Sequence, residues 1–147
     1  MASAAAFPAE VLRKYRTIAV VGASRDPSKA ANSVPKYLKD HGYRIIPVNP
    51  TANEIVGEKS YPSLSDLQEE VAQSVDIVEV FRPSQELPRV AREVVEMKKR
   101  YGRPFVFWAQ LGLESEEAKK TLAKNDVGWV MNACMRTVHQ LQLRATS

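Results

Sequence analysis

The chain holds one cysteine, Cys134, and only two histidines, His41 and His139, in 147 residues. A single thiol closes no internal disulfide, and with two histidines it makes a poor inventory for a structural zinc. No window approaches the roughly 18 consecutive apolar residues of a membrane span. Met1 to Phe7 lacks the basic start and long apolar core of a secretion signal, so the expected location is the cytoplasm. Glycine is scarce, at six residues, and none of them forms the G-x-G-x-x-G spacing of a dinucleotide fingerprint. No Ser-His-Asp set, paired-carboxylate site or H-E-x-x-H motif is present either. Groups that bind are more evident than groups that react.

What is present is ordinary globular matter. Hydrophobic residues make up 44% of the chain and charged ones 26%, too apolar a mixture for a disordered polymer. The length suits one domain, 1–147, able to bury about 68 to 70% of the surface its unfolded form exposes. Basic side chains number 21 against 17 acidic, a net charge of +4 spread along the chain. The densest run, Lys98, Lys99, Arg100 and Arg103, reads as the solvated end of a helix. A predicted pI near 9.3 is the sole pointer to nucleic acid, and no basic cluster interleaved with aromatics supports it. Neither nucleic acid nor membrane is expected as a partner.

Period-2 and period-3.6 segments alternate along the chain, in the order βαβαβαβαβα. Expected strands are Thr17 to Val21, Arg44 to Val48, Asp76 to Val80, Pro104 to Phe107 and Trp129 to Met131. Their nearly continuous apolar character suits strands covered on both faces. Val34, Tyr37, Leu38 and His41 share a helix face before Gly42, and Leu87, Val90, Ala91, Val94 and Val95 form a stripe ending at Gly102. Ser63 and Asp66 predict a capped short helix carrying Leu64, Leu67 and Val71; Ser115 opens another, with Ala118, Leu122 and Ala123. A last amphipathic stretch holds Val138 and Leu141, and residues 1–12 either fray or dock through Val11 and Leu12. The expected fold is an α/β, Rossmann-like, doubly wound sheet of about five parallel strands with helices on both faces. Ligands of such sheets bind beyond the carboxyl ends of the strands, where the strand order reverses.

Candidate binding groups gather at those ends. After the first strand, Gly22-Ala23-Ser24-Arg25 leads through Lys29 into a helix bearing Ser33; a small-residue turn entering a helix presents amides and a positive dipole end to an anion. A solvent-exposed loop whose glycine serves geometry alone is the alternative. Asn49 stands where an NAD site would carry an acidic residue, and with Pro50 it either leaves room for a phosphorylated ribose or simply opens a turn. Phe81-Arg82-Pro83 puts an aromatic and a bidentate cation at the third strand end. Trp108 reads as core, whereas Gln110, followed by Gly112, could bond a ligand. Cys134, with no base evident beside it, reads as an inert thiol.

In order and spacing, Val21-Gly22-Ala23-Ser24, Tyr37-Leu38, Gly42-Tyr43, Pro47-Val48-Asn49-Pro50, Gly57, Tyr61-Pro62-Ser63, Phe81-Arg82-Pro83, Trp108, Gln110, Gly112 and Cys134 closely resemble the small CoA-binding-domain proteins. The likeness runs from about Thr17 to Leu141, and the family looks like a free-standing copy of the N-terminal domain of the succinyl-CoA synthetase alpha subunit. This resemblance implies coenzyme A, free or as acyl-CoA, as the ligand. It implies that Gly22, Ala23, Ser24 and Arg25 line a phosphate turn with Lys29 and Ser33 nearby. Asn49 and Pro50 would flank the adenosine, Phe81, Arg82 and Pro83 would border the pyrophosphate and pantetheine, and Gln110 and Gly112 would lie at the pocket floor. Two departures stand out: Val138 precedes His139 where the family commonly has an acidic residue, and no second domain with a phosphohistidine loop is expected. The leading expectation is a non-catalytic CoA-binding module. The alternatives are an NAD(P)-dependent oxidoreductase, or a CoA-ligase accessory chain whose catalytic groups come from a separate partner protein; a homodimer through the apolar N-terminal segment is a further expectation.

Overall fold

The computed structural model describes residues 5–146, so the first four positions of the expected N-terminal segment lie outside the described residues. In chain order the elements are α1 (Pro8–Lys14), β1 (Thr17–Val21), α2 (Ala30–Asp40), β2 (Arg44–Val48), β3 (Glu54–Ile55), β4 (Glu58–Lys59), α3 (Glu69–Ala72), β5 (Ile77–Val80), α4 (Leu87–Tyr101), β6 (Val106–Ala109), α5 (Glu116–Lys124), β7 (Gly128–Val130) and α6 (Met135–Thr146). Five strands form one parallel sheet in the order β2-β1-β5-β6-β7. The chain moves outward from β1 to β2, then crosses to β5 on the other side of β1, so the strand order reverses between β1 and β5.

Period-2 alternation sorts the strand residues onto two cores. Ala19, Val21, Ile46, Val48, Val78, Val80, Phe107 and Ala109 face α4 and α5, while Ile18, Val20, Ile45, Ile77, Val106 and Trp108 face α1, α2 and α6. The stripe of α4 is buried as its spacing requires, and Gly102, at φ +73°, ends the helix by donating its N–H to the Lys98 carbonyl at 2.8 Å. Ser115 caps α5, its hydroxyl accepting from the Ala118 amide at 3.1 Å, a contact of about 1 kcal/mol. On the opposite layer, α1 buries Val11 and Leu12, and the Tyr43 hydroxyl donates to the Leu12 carbonyl at 2.6 Å.

Several bounds differ from expectation for local reasons. The helix expected after Ser63 is split into a 3-10 turn over Leu64–Asp66 and the single turn α3, because the Ser63 hydroxyl donates to Asp66 Oδ2 at 2.7 Å instead of capping the backbone. The fourth strand starts at Val106, two residues past Pro104, and runs on through Trp108 and Ala109. An unforeseen hairpin, β3 with β4, turns through Val56 and Gly57, both at positive φ, at +49° and +77°. Left-handed backbone is costly for a β-branched valine; Lys39 braces the turn, donating to the Val56 carbonyl at 2.7 Å and pairing with Glu58 at 3.0 Å.

Candidate functional site

The carboxyl ends of all five sheet strands open on one edge. After β1 the chain turns at Gly22, whose φ is +84°. A Cβ there would lie 2.7 Å from the Phe81 carbonyl oxygen and 2.8 Å from Arg82 Cδ. Glycine is therefore required twice, by its dihedral and by the close passage of the β5 exit. Beyond it Ala23 is buried, and the loop folds on itself: the Ser24 hydroxyl accepts the Asp26 amide at 3.1 Å, and Asn32 Nδ2 donates to the Ser24 carbonyl at 2.8 Å. The amide and then the hydroxyl of Ser28 donate to Asp26, which holds that carboxyl below its usual range. Arg25 is exposed on this loop, and Lys29 is exposed at the N-cap of α2, whose first amides have no intrahelical partners.

Two clefts flank Arg82. The first, about 340 Å³, lies over β1 and β2 and is lined by Gly22, Asn49, Pro50, Thr51, Ser63, Arg82 and Arg89. Asn49 is a brace in its wall: Nδ2 donates to the Ala23 carbonyl at 2.7 Å, and Oδ1 accepts from the amide and hydroxyl of Thr51. The second, about 720 Å³, lies over β5, β6 and the start of α6; Lys29, Phe81, Arg82, Pro83, Gln110, Leu111, Cys134 and Arg136 line it. Arg82 and Arg89 both engage Glu86, at 3.1 Å and 3.0 Å, and hydrogen bonds from Arg89 and then Arg82 hold that carboxylate below its usual range. Both guanidiniums face the solvent edge, where a phosphate could compete for them.

The remaining expected residues sit as follows. Gln110 is buried in the cleft wall, and its Oε1 accepts the Met135 amide at 3.2 Å, so it caps α6. Gly112, at φ +85°, donates its amide to Asn132 Oδ1 at 2.7 Å and lines neither cleft. Ser33 is one turn into α2, where its hydroxyl is 3.5 Å from Arg136 Nη1 in the contact between α2 and α6. Ala23, Ser24 and Arg25 support the loop without lining either cleft. Trp108 is wholly buried, its indole donating to the Ala133 carbonyl at 2.9 Å. His139 is buried away from the clefts, its Nδ1 2.8 Å from the Tyr37 hydroxyl; burial, followed by His41 and Arg16 nearby, lowers its pKa. Among the described residues no three His, Cys, Asp or Glu side chains group as a metal site, and no helix is long and apolar enough to cross a membrane.

Three features were missed from sequence. Arg89 belongs to the first cleft; its place three residues after Glu86 was the available signal. Ser63 lines the same cleft rather than capping a helix. Glu79, the one charged residue of β5, is wholly buried between Val20 and Trp108 in register, and neither carboxyl oxygen has a partner among the described residues. Burial pushes its pKa up to about 8, with a smaller rise from the nearby Cys134. Cys134 has its own helix N-terminus. Burial would raise the thiol, but hydrogen bonds from the Thr137 amide and hydroxyl, the Gln110 side chain and the Arg136 amide outweigh it and leave the pKa lowered.

Comparison with known proteins bears on the family and the fold. A family model described as a CoA binding domain matches residues 16–140. The uncharacterized protein YneT of Bacillus subtilis is 42% identical over 130 residues, spanning 88% of this chain and 90% of YneT. The ADP-forming acetate–CoA ligase of Methanocaldococcus jannaschii is 33% identical over 78 residues, which are 53% of this chain but only 10% of the ligase. Among solved structures, cell-free ID.343 from Thermus thermophilus superposes with a TM-score of 0.80 at 37% identity, over 90% of this chain and 94% of that one.

Proposed function

The chain belongs to the CoA-binding domain family, and from that premise we propose that it is a single-domain CoA-binding module of the cytoplasm, with no turnover of its own, that holds the CoA phosphates at the first strand-to-helix turn. The observation that carries this reading is the position of Arg82, at the reversal of strand order and in the walls of both clefts. CoA is a long ligand with phosphates between an adenosine and an amide-rich arm, and one guanidinium between two clefts suits such a shape. In this reading Gly22, Ala23, Ser24 and Arg25 form the phosphate turn, with Lys29 and Ser33 at the start of α2. Asn49 and Pro50 flank the adenosine, Phe81, Arg82 and Pro83 border the pyrophosphate and pantetheine, and Gln110 and Gly112 support the far end. Arg89, Thr51 and Ser63 join the adenosine side, where an added basic group suits the ribose 3′-phosphate. The absence of an acidic side chain at Asn49 is consistent with that phosphate.

The test is Arg82→Ala, assayed by equilibrium binding of CoA. Hydrogen bonds to charged groups contribute about 1.5 to 3 kcal/mol, so the affinity falls roughly tenfold or more while the circular dichroism stays unchanged. A loss under about threefold in a folded variant contradicts the assignment. The likeness to acetate–CoA ligases supports a second reading, in which a partner chain supplies catalytic groups to this CoA site. Co-purification from the native source tests it, and recovery of the chain alone under gentle conditions contradicts it.

A further inference from the structure

The exit of β5 and the first turns of α4 carry alternating charges along one rim. Arg82 donates from Nε and Nη2 to the Glu86 carboxylate at 3.1 to 3.3 Å, and Arg89 donates from Nη2 to Glu86 Oε1 at 3.0 Å. Glu93 takes the other Arg89 nitrogen, Nη1, at 2.8 Å. Arg82, Arg89 and Glu93 line the first cleft, whereas Glu86 lines neither of the two clefts. Two guanidiniums thus share one carboxylate oxygen, Oε1, and repel each other without it. The Arg82 stem is fixed from beneath, its Cδ passing 2.8 Å from where a Cβ on Gly22 would lie. Glu86 is the N-cap residue of α4, yet its side chain makes no capping bond to that helix. The carboxylate is spent on the two arginines instead. Glu86 is 28% exposed and Arg89 52%, and ion pairs this open are weak.

We propose that Glu86 is an internal occupant of an anion site between Arg82 and Arg89, and that the ribose 3′-phosphate of CoA takes this site by displacing it. The proposal rests on the CoA-binding reading and adds the group that tunes selection of a phosphorylated ribose. The 3′-phosphate is a monoester, with about −1.5 to −2 charges at pH 7 and three strong acceptor oxygens. A carboxylate brings one charge and two oxygens. The phosphate therefore outcompetes Glu86 for the two guanidiniums, whose planar forks suit bidentate contacts to phosphate. Arg89 keeps its bond to Glu93 during the exchange, so it stays in the cleft wall when Glu86 leaves. Among the described residues lining this cleft Glu93 is the one acid, and its bond to Arg89 leaves Nη2 for the ligand. Glu86, released beside the bound phosphate, repels it through solvent. Its charge thus holds the affinity for CoA below what two unclasped guanidiniums would give. Dephospho-CoA leaves the clasp closed and does not meet this opposition.

The experiment is calorimetric titration of the full chain with CoA and with dephospho-CoA, on the parent, Glu86→Gln and Arg89→Ala. Glu86→Gln keeps the shape of the side chain and removes its charge. It is expected to bind CoA at least about threefold more tightly than the parent, with dephospho-CoA within about twofold. Arg89→Ala is expected to bring the two ligands within about threefold of each other, because its loss falls on the 3′-phosphate. Glu86→Ser, a favourable N-cap residue, serves where the Gln variant folds poorly and is expected to show the same gain. A Glu86 whose role is to position the arginines gives the opposite sign. CoA affinity unchanged or weakened in a folded Glu86 variant therefore overturns the proposal while leaving CoA binding intact. Equal gains for CoA and dephospho-CoA overturn it as well, because they place the clasp at the pyrophosphate. A parent that binds no CoA overturns the CoA reading and this proposal with it.

Discussion

Replacing Glu79 by Gln changes the pH dependence of stability by an amount that follows from its burial. In the folded protein the carboxyl has its pKa raised from the ordinary 4.5 to about 8. Because the folded value lies above the unfolded one, the native state holds this proton more tightly. Its contribution is fully present below about 4.5 and is lost as pH rises through about 8. Each pH unit between those values is worth about 1.4 kcal/mol, roughly 5 kcal/mol over the window, which is a large part of the 5 to 15 kcal/mol typical of a domain. Gln cannot ionise, so its unfolding free energy lacks this term. Urea unfolding of both proteins at half-unit steps from pH 5 to 8.5 gives the difference, which cancels the titration of His139 and every other shared group. Relative to the variant, the parent loses stability steadily from pH 5 toward pH 8.5, as the carboxyl ionises in its buried site. Parallel curves across the window would refute the reasoning, because a carboxyl with an ordinary pKa is not a desolvated one.

Other outcomes follow from single contacts. Gly22→Ala forces a Cβ against the Phe81 carbonyl and Arg82 at a positive φ; thermal melting is expected to show a loss of about 1 to 3 kcal/mol, together with weaker CoA binding. Val56→Asn relieves a β-branched residue at φ +49° and is expected to gain up to about 1 kcal/mol in urea unfolding, with no change in CoA affinity. Asn49→Asp replaces the donor to the Ala23 carbonyl with a charge, and is expected to cost about 1 to 3 kcal/mol of stability and to weaken CoA more than dephospho-CoA. Equal losses for the two ligands would place Asn49 away from the 3′-phosphate.

Much of the fold was legible because long amphipathic stripes and apolar strands carry strong periodicity. β1 and β2 fall on the expected residues, and α4 ends at the expected glycine. The β3 and β4 hairpin escaped because strands of two residues have no period to read, and because Val is a poor advertisement for a left-handed turn. The clefts were legible as strand ends but not as walls. Gln110 looked like a ligand group, and the structure engages it with the Met135 amide; Ser33 looked like a phosphate donor, and it lies beside Arg136. Arg89 reaches the site only because α4 packs across the sheet beside the exit of β5. The burial of Glu79 is a tertiary fact: it lies 55 residues before Cys134, in a strand that hides it. A charged residue inside an otherwise apolar, doubly covered strand was the signal available and unused.

The central claim is that the two clefts joined at Arg82 form one CoA site. Isothermal titration of the purified chain with CoA, with dephospho-CoA and NAD in the same buffer, tests it most directly. The account predicts saturable one-to-one binding of CoA, weaker binding of dephospho-CoA and none of NAD. Binding of NAD with no response to CoA would contradict it.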